Sequence, residues 1–184
     1  MEKDIILGVS GSIAAYKAAE LARGLQKAGH RVHVIMTKSA QEFITPLTFQ
    51  SLTGNKVHTE MFERLDAPDI HHISLAKRAS LVLLAPASAN LVGKLAGGIA
   101  DDMLTTVALA AWQVPTLLCP AMNTAMYDNP IHQRNLQTLR ETLGYRILEP
   151  QSGLLACGDT GRGALAPVEE ILNAALLIVE EGHA

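Results

Sequence analysis

Short apolar runs alternate with stretches of helical periodicity along the whole chain. Asp4–Val9 (DIILGV) is a compact apolar run that stops at Ser10-Gly11-Ser12, the pattern of a short buried strand. From Ile13 the pattern changes: Ala14, Ala18, Leu21, Ala22 and Leu25 fall on one face of a helix, and Gly29 ends it. Arg31–Met36 (RVHVIM) alternates and is rich in β-branched residues, so a second strand is expected. Strand, helix and strand in that order form the unit from which parallel sheets are built.

The pattern repeats more loosely downstream. Short helices are expected over Ser39–Phe43 and Pro46–Leu52, the second closed by Gly54, then a short strand over Val57–Met61. Glu63–Ile70 contains Pro68 and reads as loop, Ile73–Ala79 suits a helix, and Leu81–Ala85 (LVLLA) is a buried strand. Ala89–Ala96 and Met103–Ala111 are helical, separated by Gly97-Gly98, and Thr116–Cys119 is another buried strand. A helix over Ile131–Leu143 ends at Gly144, and Tyr145–Leu148 is a further strand. Gln151–Ala166 is glycine-rich without periodicity and reads as a loop or flap. Pro167–Glu181 is a final helix with proline in its first turn. The alternation predicts an α/β fold, a three-layer α/β/α doubly wound parallel sheet of flavodoxin/Rossmann-like type, in a single domain over residues 1–184. Ligands in such sheets sit beyond the carboxyl ends of the strands, so the loops after strands are where chemistry is expected.

Composition narrows the partners. The chain is 48% hydrophobic and 18% charged with a formal net charge of −3, so nucleic acid is not expected. No apolar run approaches the roughly 20 residues of a membrane span, and Ile5–Val9 is too short for a signal peptide, so a cytoplasmic protein is expected. Cys119 and Cys157 do not suggest a disulfide framework, and no Cys/His cluster has zinc spacing. Adjacent residues such as His71 and His72 rarely present both rings to one ion, so no metal is expected.

The strand-end loops carry candidate chemistry, each with a bland alternative. Gly11, Ser12 and Ile13 turn the chain tightly into a helix whose first N–H groups suit a phosphate, or they merely cap that helix. The dinucleotide fingerprint and the Gly-Lys-Ser/Thr of a P-loop are both absent, so a mononucleotide phosphate fits better. Thr37 and Ser39 offer hydroxyls after the second strand, although Ser and Thr commonly cap helices. Ser88, Ala89, Asn90 and Leu91 combine small residues with hydrogen-bonding ones. Asn123, after a buried strand, offers NH₂ and C=O to a carboxylate or amide. Met126 belongs either to a pocket or to the core. Cys157 lies in the polar, glycine-rich segment Ala156–Gly163, unlike Cys119 in its apolar strand, and a thiol with a pKa of about 8.5 can donate a proton. His72 precedes a helix and has a reference pKa of about 6.5, suited to acid/base work.

Five segments together resemble the flavin-containing cysteine decarboxylases: Gly8–Ala14, His72-Ile73-x-Leu75, Ala85–Asn90, Pro120-Ala121-Met122-Asn123-x-x-Met126, and Ala156-Cys157-Gly158-Asp159-x-Gly161. The resemblance runs from Ile5 to about Ala166. It implies FMN as cofactor, bound by Gly11, Ser12, Ile13, Thr37, Ser39, Ser88, Ala89, Asn90 and Leu91. It implies decarboxylation of a small cysteine carboxylate in coenzyme A synthesis, with a synthetase as functional partner and a homo-trimer or dodecamer as assembly. His72 would act as acid/base, Asn123 with Met126 would hold the substrate, and Cys157 would return a proton. Tyr127 stands where the family commonly has Trp. A peptidyl-cysteine decarboxylase and a non-catalytic flavin-binding regulatory subunit are the competing readings. The second is weakened by the lack of an acidic tail, and a flavin prenyltransferase is disfavoured by the Asn123 and Cys157 motifs.

Overall fold

The computed structural model describes residues 2–62, 71–154 and 160–182. Five parallel strands form the central sheet: β1 (Asp4–Val9), β2 (Arg31–Met36), β3 (Ala79–Ala87), β4 (Thr116–Pro120) and β5 (Arg146–Ile147). Their spatial order is β2-β1-β3-β4-β5. The chain therefore steps outward from β1 to β2 and returns past β1 to β3, so the loops after β1 and β3 diverge at the reversal of strand order.

The two faces of the sheet follow the period-2 alternation of strand side chains. Ile5, Leu7, Val9, Leu81, Leu83 and Leu117 pack into one core with α1 (Lys17–Lys27), α2 (Pro46–Thr53) and α8 (Val168–Glu181). Ile6, Val82, Leu84 and Leu118 pack into the other. That second core is covered by α3 (His71–Arg78), α4 (Ala89–Ala96), α5 (Met103–Ala110) and α7 (Pro130–Leu143). β1, β3 and β4 read as near-continuous apolar runs because both faces are covered. The expected three-layer α/β/α arrangement is what forms. Among the described residues no helix is long and apolar enough to cross a membrane.

Several elements differ from the sequence-based expectation. Ile13–Tyr16 is a 3₁₀ turn, and the α-helix starts only at Lys17. Ser12 Oγ caps that turn by accepting from Ala14 N–H at 3.3 Å, which winds it tightly. Lys38–Glu42 is likewise a 3₁₀ turn. Val57–Met61 is not a strand. His58 alone bridges Ile35, exchanging bonds with Val34 and Met36 at 2.9 Å, before the chain leaves the edge. A short helix, α6 (Thr124–Tyr127), was not expected. Gln151–Ala166, expected to be irregular, contains an antiparallel hairpin of β6 (Gln151–Leu154) and β7 (Thr160–Ala164). The expected loop Glu63–Ile70 lies outside the described residues.

Candidate functional site

At the carboxyl edge of the sheet lies a cavity of about 1100 Å³. Gly11, Ser12 and Ile13 after β1, Thr37 and Ser39 after β2, and Ser88, Ala89, Asn90 and Leu91 after β3 all line it. So do Asn123 and Met126 after β4, together with Gly163 and Leu165 around β7. Every sequence-expected cofactor position and both expected substrate positions therefore meet in one space.

Two close approaches set its shape. A Cβ on Gly11 would lie 2.5 Å from Ser39 Cβ, so only glycine lets the loops after β1 and β2 close on each other. Ser10, 1% exposed, ties the loops after β1 and β3 together. Its Oγ donates to Pro86 O at 2.7 Å and accepts from Ser88 N–H at 2.8 Å. Ser10 belonged to the first loop read from the sequence but was not singled out, because a buried cross-strand hydroxyl has no local signature.

Ser12, Thr37, Ser88 and Asn123 are all caps. Thr37 Oγ1 accepts from Ala40 N–H at 3.2 Å, Ser88 Oγ from Leu91 N–H at 3.3 Å, and Asn123 Oδ1 from Ala125 N–H at 2.8 Å. Capping does not exclude ligand binding. A hydroxyl that accepts one bond still carries a proton to donate, and a carboxamide anchored through its oxygen has NH₂ as its donor edge. The bland and the functional readings of Ser12, Thr37, Ser88 and Asn123 are compatible.

Charge in the cavity is mixed. Lys17 and Lys38 line it beside the loops after β1 and β2. Lys94 is held by Asp101 at 2.7 Å and Asp102 at 3.5 Å. That hydrogen bond to Asp101 raises the Lys94 pKa and lowers that of Asp101. Asp102 also caps α5 by accepting from Thr105 N–H at 2.8 Å. From sequence, this segment read only as two capped helices and a glycine break. The ion pair became visible when the fold brought Lys94 to the cavity. Ile13, Tyr16 and Met126 put exposed apolar surface on the rim.

Among the expected residues, one stands apart from this lining and another lies outside the described residues. His72 stands in the first turn of α3 and is not among the residues lining the cavity of a single chain. Cys157 lies outside the described residues. Cys119 is fully buried, and burial pushes its thiol pKa far above the ordinary value, as its apolar strand implied. Among the described residues no cluster of His, Cys, Asp or Glu could hold a metal ion.

The hairpin contributes to the site through backbone packing. Met122 N–H donates to Gly163 O at 3.0 Å. A Cβ on Gly163 would lie 2.2 Å from Met122 O, and one on Gly161 would lie 2.5 Å from Thr124 Oγ1. These two glycines seat β7 on the Met122–Thr124 loop.

The family described as Flavoprotein matches residues 1–179. The chain is 52% identical over 174 residues to a probable phosphopantothenoylcysteine decarboxylase of Streptococcus mutans, covering 94% of this chain and 97% of that protein. It is 49% identical over 173 residues to the coenzyme A biosynthesis bifunctional protein CoaBC of Bacillus subtilis, covering 94% of this chain but only 42% of that longer protein. A cysteine-to-serine mutant of PPC decarboxylase complexed with pantothenoylaminoethenethiol superposes with a TM-score of 0.84 at 32% identity, covering 98% of this chain and 100% of that one. The FMN-dependent cysteine decarboxylase SpaF does so with a TM-score of 0.84 at 32% identity, over 99% and 98%.

Proposed function

The chain belongs to the flavoprotein family, and we propose that it decarboxylates 4'-phospho-N-pantothenoylcysteine to 4'-phosphopantetheine and CO₂, with FMN as cofactor, in coenzyme A synthesis. One observation carries the reading. Loops after four successive strands converge on a cavity together with an asparagine suited to a carboxylate. The residues fit FMN. Hydroxyls of Ser12, Thr37 and Ser39 and the lysines 17 and 38 suit a phosphate, and the Gly11–Ser39 approach leaves a narrow backbone cradle there. The apolar rim and the small residues Ala89 and Ala121 suit a flat ring. A separate synthetase supplying the substrate, a cytoplasmic setting, and a homo-trimer or dodecamer complete the reading.

Bound FMN would supply a reversible two-electron acceptor for the substrate's cysteine, which would let loss of CO₂ be redox neutral overall. Asn123 grips the substrate carboxylate through its NH₂, with the carboxamide oriented by Ala125 N–H. Met126 supplies apolar contact on the rim. His72 is assigned the acid/base role in the oxidative half, and Cys157 the return of a proton in the reductive half.

The purified protein is expected to be yellow, to release FMN on denaturation, and to liberate CO₂ from phosphopantothenoylcysteine. Colourless protein without affinity for added FMN, or holoprotein that liberates no CO₂, would overturn the proposal. Cys157→Ser should still decarboxylate but accumulate the unsaturated thiol, seen by product mass, whereas His72→Asn should also lose CO₂ release. Normal turnover in both variants would remove the assigned roles.

A further inference from the structure

Behind the cavity, one carboxylate joins three segments of the chain. Glu149 lies two residues before β6. The phenol of Tyr127, at the end of α6, donates to its Oε2. Arg140 of α7 reaches Oε1 at 3.1 Å, and Arg162 of β7 reaches Oε2 at 3.4 Å. The Arg162 guanidinium also lies over the Tyr127 ring, 5.5 Å from its centroid. Tyr127 is 2% exposed, and burial with the bond to Glu149 pushes its pKa up to about 12, so the phenol keeps its proton and remains the donor. Its carbonyl accepts from Gln133 Nε2 at 2.6 Å.

Exposed ion pairs contribute little on their own. Here the geometry is fixed by a buried ring, and the bonds act on a strand whose other side is already seated. Met122 N–H binds Gly163 O, and Gly161 and Gly163 lie against Met122–Thr124. β7 is thus held from the cavity side by backbone and from the outer side by Arg162. Tyr127 is four residues after Asn123, so the same ring supports the loop that carries the proposed substrate carboxylate holder. Glu149, Arg140, Tyr127 and Arg162 do not line the cavity, whereas Asn123, Met126 and Gly163 do.

We infer that Glu149 clamps the β6–β7 hairpin to the Asn123 loop through Tyr127 and Arg162, which makes Glu149 and Arg162 positioning residues for the proposed decarboxylation. The clamp makes hairpin and loop one body, so the hairpin keeps its place relative to the substrate's carboxylate end. The proposal rests on the functional reading above for its effect on turnover, but not for the clamp itself.

The test uses holoprotein with Glu149→Ala and Arg162→Ala, and Glu149→Gln as the variant that keeps an acceptor for the phenol. Hydrogen exchange of the β7 amides should speed up by about tenfold or more in both alanine variants while β1, β3 and β4 stay protected. KM for phosphopantothenoylcysteine should rise by about tenfold with FMN occupancy unchanged, and a larger share of product should leave as the unsaturated thiol. Glu149→Gln should fall between these and wild type. Wild-type exchange in β7 together with wild-type KM and product ratio would overturn the clamp. Wild-type protein that liberates no CO₂ overturns the functional reading alone, and β7 exchange then decides the clamp by itself.

Discussion

Gly163→Ala is the most exacting perturbation of the site, because the added carbon meets backbone. Its Cβ would lie 2.2 Å from Met122 O and 3.3 Å from Met122 C, at a φ of +155°. Ordinary carbon–oxygen contact needs about 1 Å more, and no side-chain rotation can supply it. The strand must withdraw from the Asn123 loop, and withdrawal by 1 Å stretches the 3.0 Å bond from Met122 N–H to Gly163 O beyond its range. A lost hydrogen bond costs about 1 kcal/mol, and overpacking with backbone strain adds about 1–3 kcal/mol. Destabilisation of about 2–4 kcal/mol lowers the melting temperature by roughly 5–15 °C for a chain of this size. A displacement of that length at the substrate holder costs up to about a hundredfold in kcat/KM. FMN affinity should change less, because the expected FMN loops follow β1, β2 and β3. Thermal melting, FMN titration by fluorescence quenching and CO₂ release measure the three quantities. A variant that melts and turns over like wild type would show that β7 does not depend on its seat against Met122.

Two further outcomes follow from buried polar groups. Ser10→Ala removes the hydroxyl that accepts from Ser88 N–H, while Pro86 O keeps the bond from Ser10 N–H at 3.2 Å. Ser88 is only half-buried, so its unsatisfied N–H costs about 1 kcal/mol, at the low end for a lost buried partner; the melting temperature should drop by a few degrees and FMN affinity should weaken, and unchanged affinity would separate Ser10 from the cofactor loops. His132 is 5% exposed and burial lowers its pKa, so the folded chain binds fewer protons than the unfolded chain once pH falls below about 6.5. Stability should therefore decline as pH drops through that window, and His132→Gln should flatten the decline in denaturant titrations; an equally steep decline would assign it to other groups, such as His30, whose pKa burial also lowers.

The layers of the fold were legible because the central strands β1, β3 and β4 are short apolar runs, β2 alternates, and the major helices have an apolar face. Strands 4–9 and 31–36 were expected with the bounds observed. What escaped were elements set by tertiary contact. The hairpin of β6 and β7 has no alternating pattern, since its return strand reads Thr160-Gly161-Arg162-Gly163-Ala164. Its glycines suggested a loop or flap, yet at Gly161 and Gly163 another segment lies where a side chain would go. The expected strand at Val57–Met61 shrank to one bridge because only His58 reaches the edge of β2. Among the residues that line the cavity, Gly11, Thr37, Ser88 and Asn123 were expected there because each follows a strand. Lys94 sits one helical turn into α4 and Ser10 points between strands, so neither position marks itself in the sequence.

Caps and ligand groups coincide in this fold for a physical reason. A parallel α/β sheet ends each strand at a helix or turn start, where backbone N–H groups lack partners within the helix. Ser12, Thr37, Ser88 and Asn123 each take one of these N–H groups. Doing so locks a loop side chain into a single orientation through its acceptor oxygen. The rotamer freedom that a ligand would otherwise have to freeze is already lost on folding. The cap is therefore what makes the residue useful to a ligand, and removing the hydroxyl or amide should cost helix stability and ligand affinity together. A substitution that keeps the cap but changes its donor, such as Asn123→Asp, separates the two. Asp caps as well as Asn but places a carboxylate against the substrate's own, so the fold should stand while the proposed grip is lost.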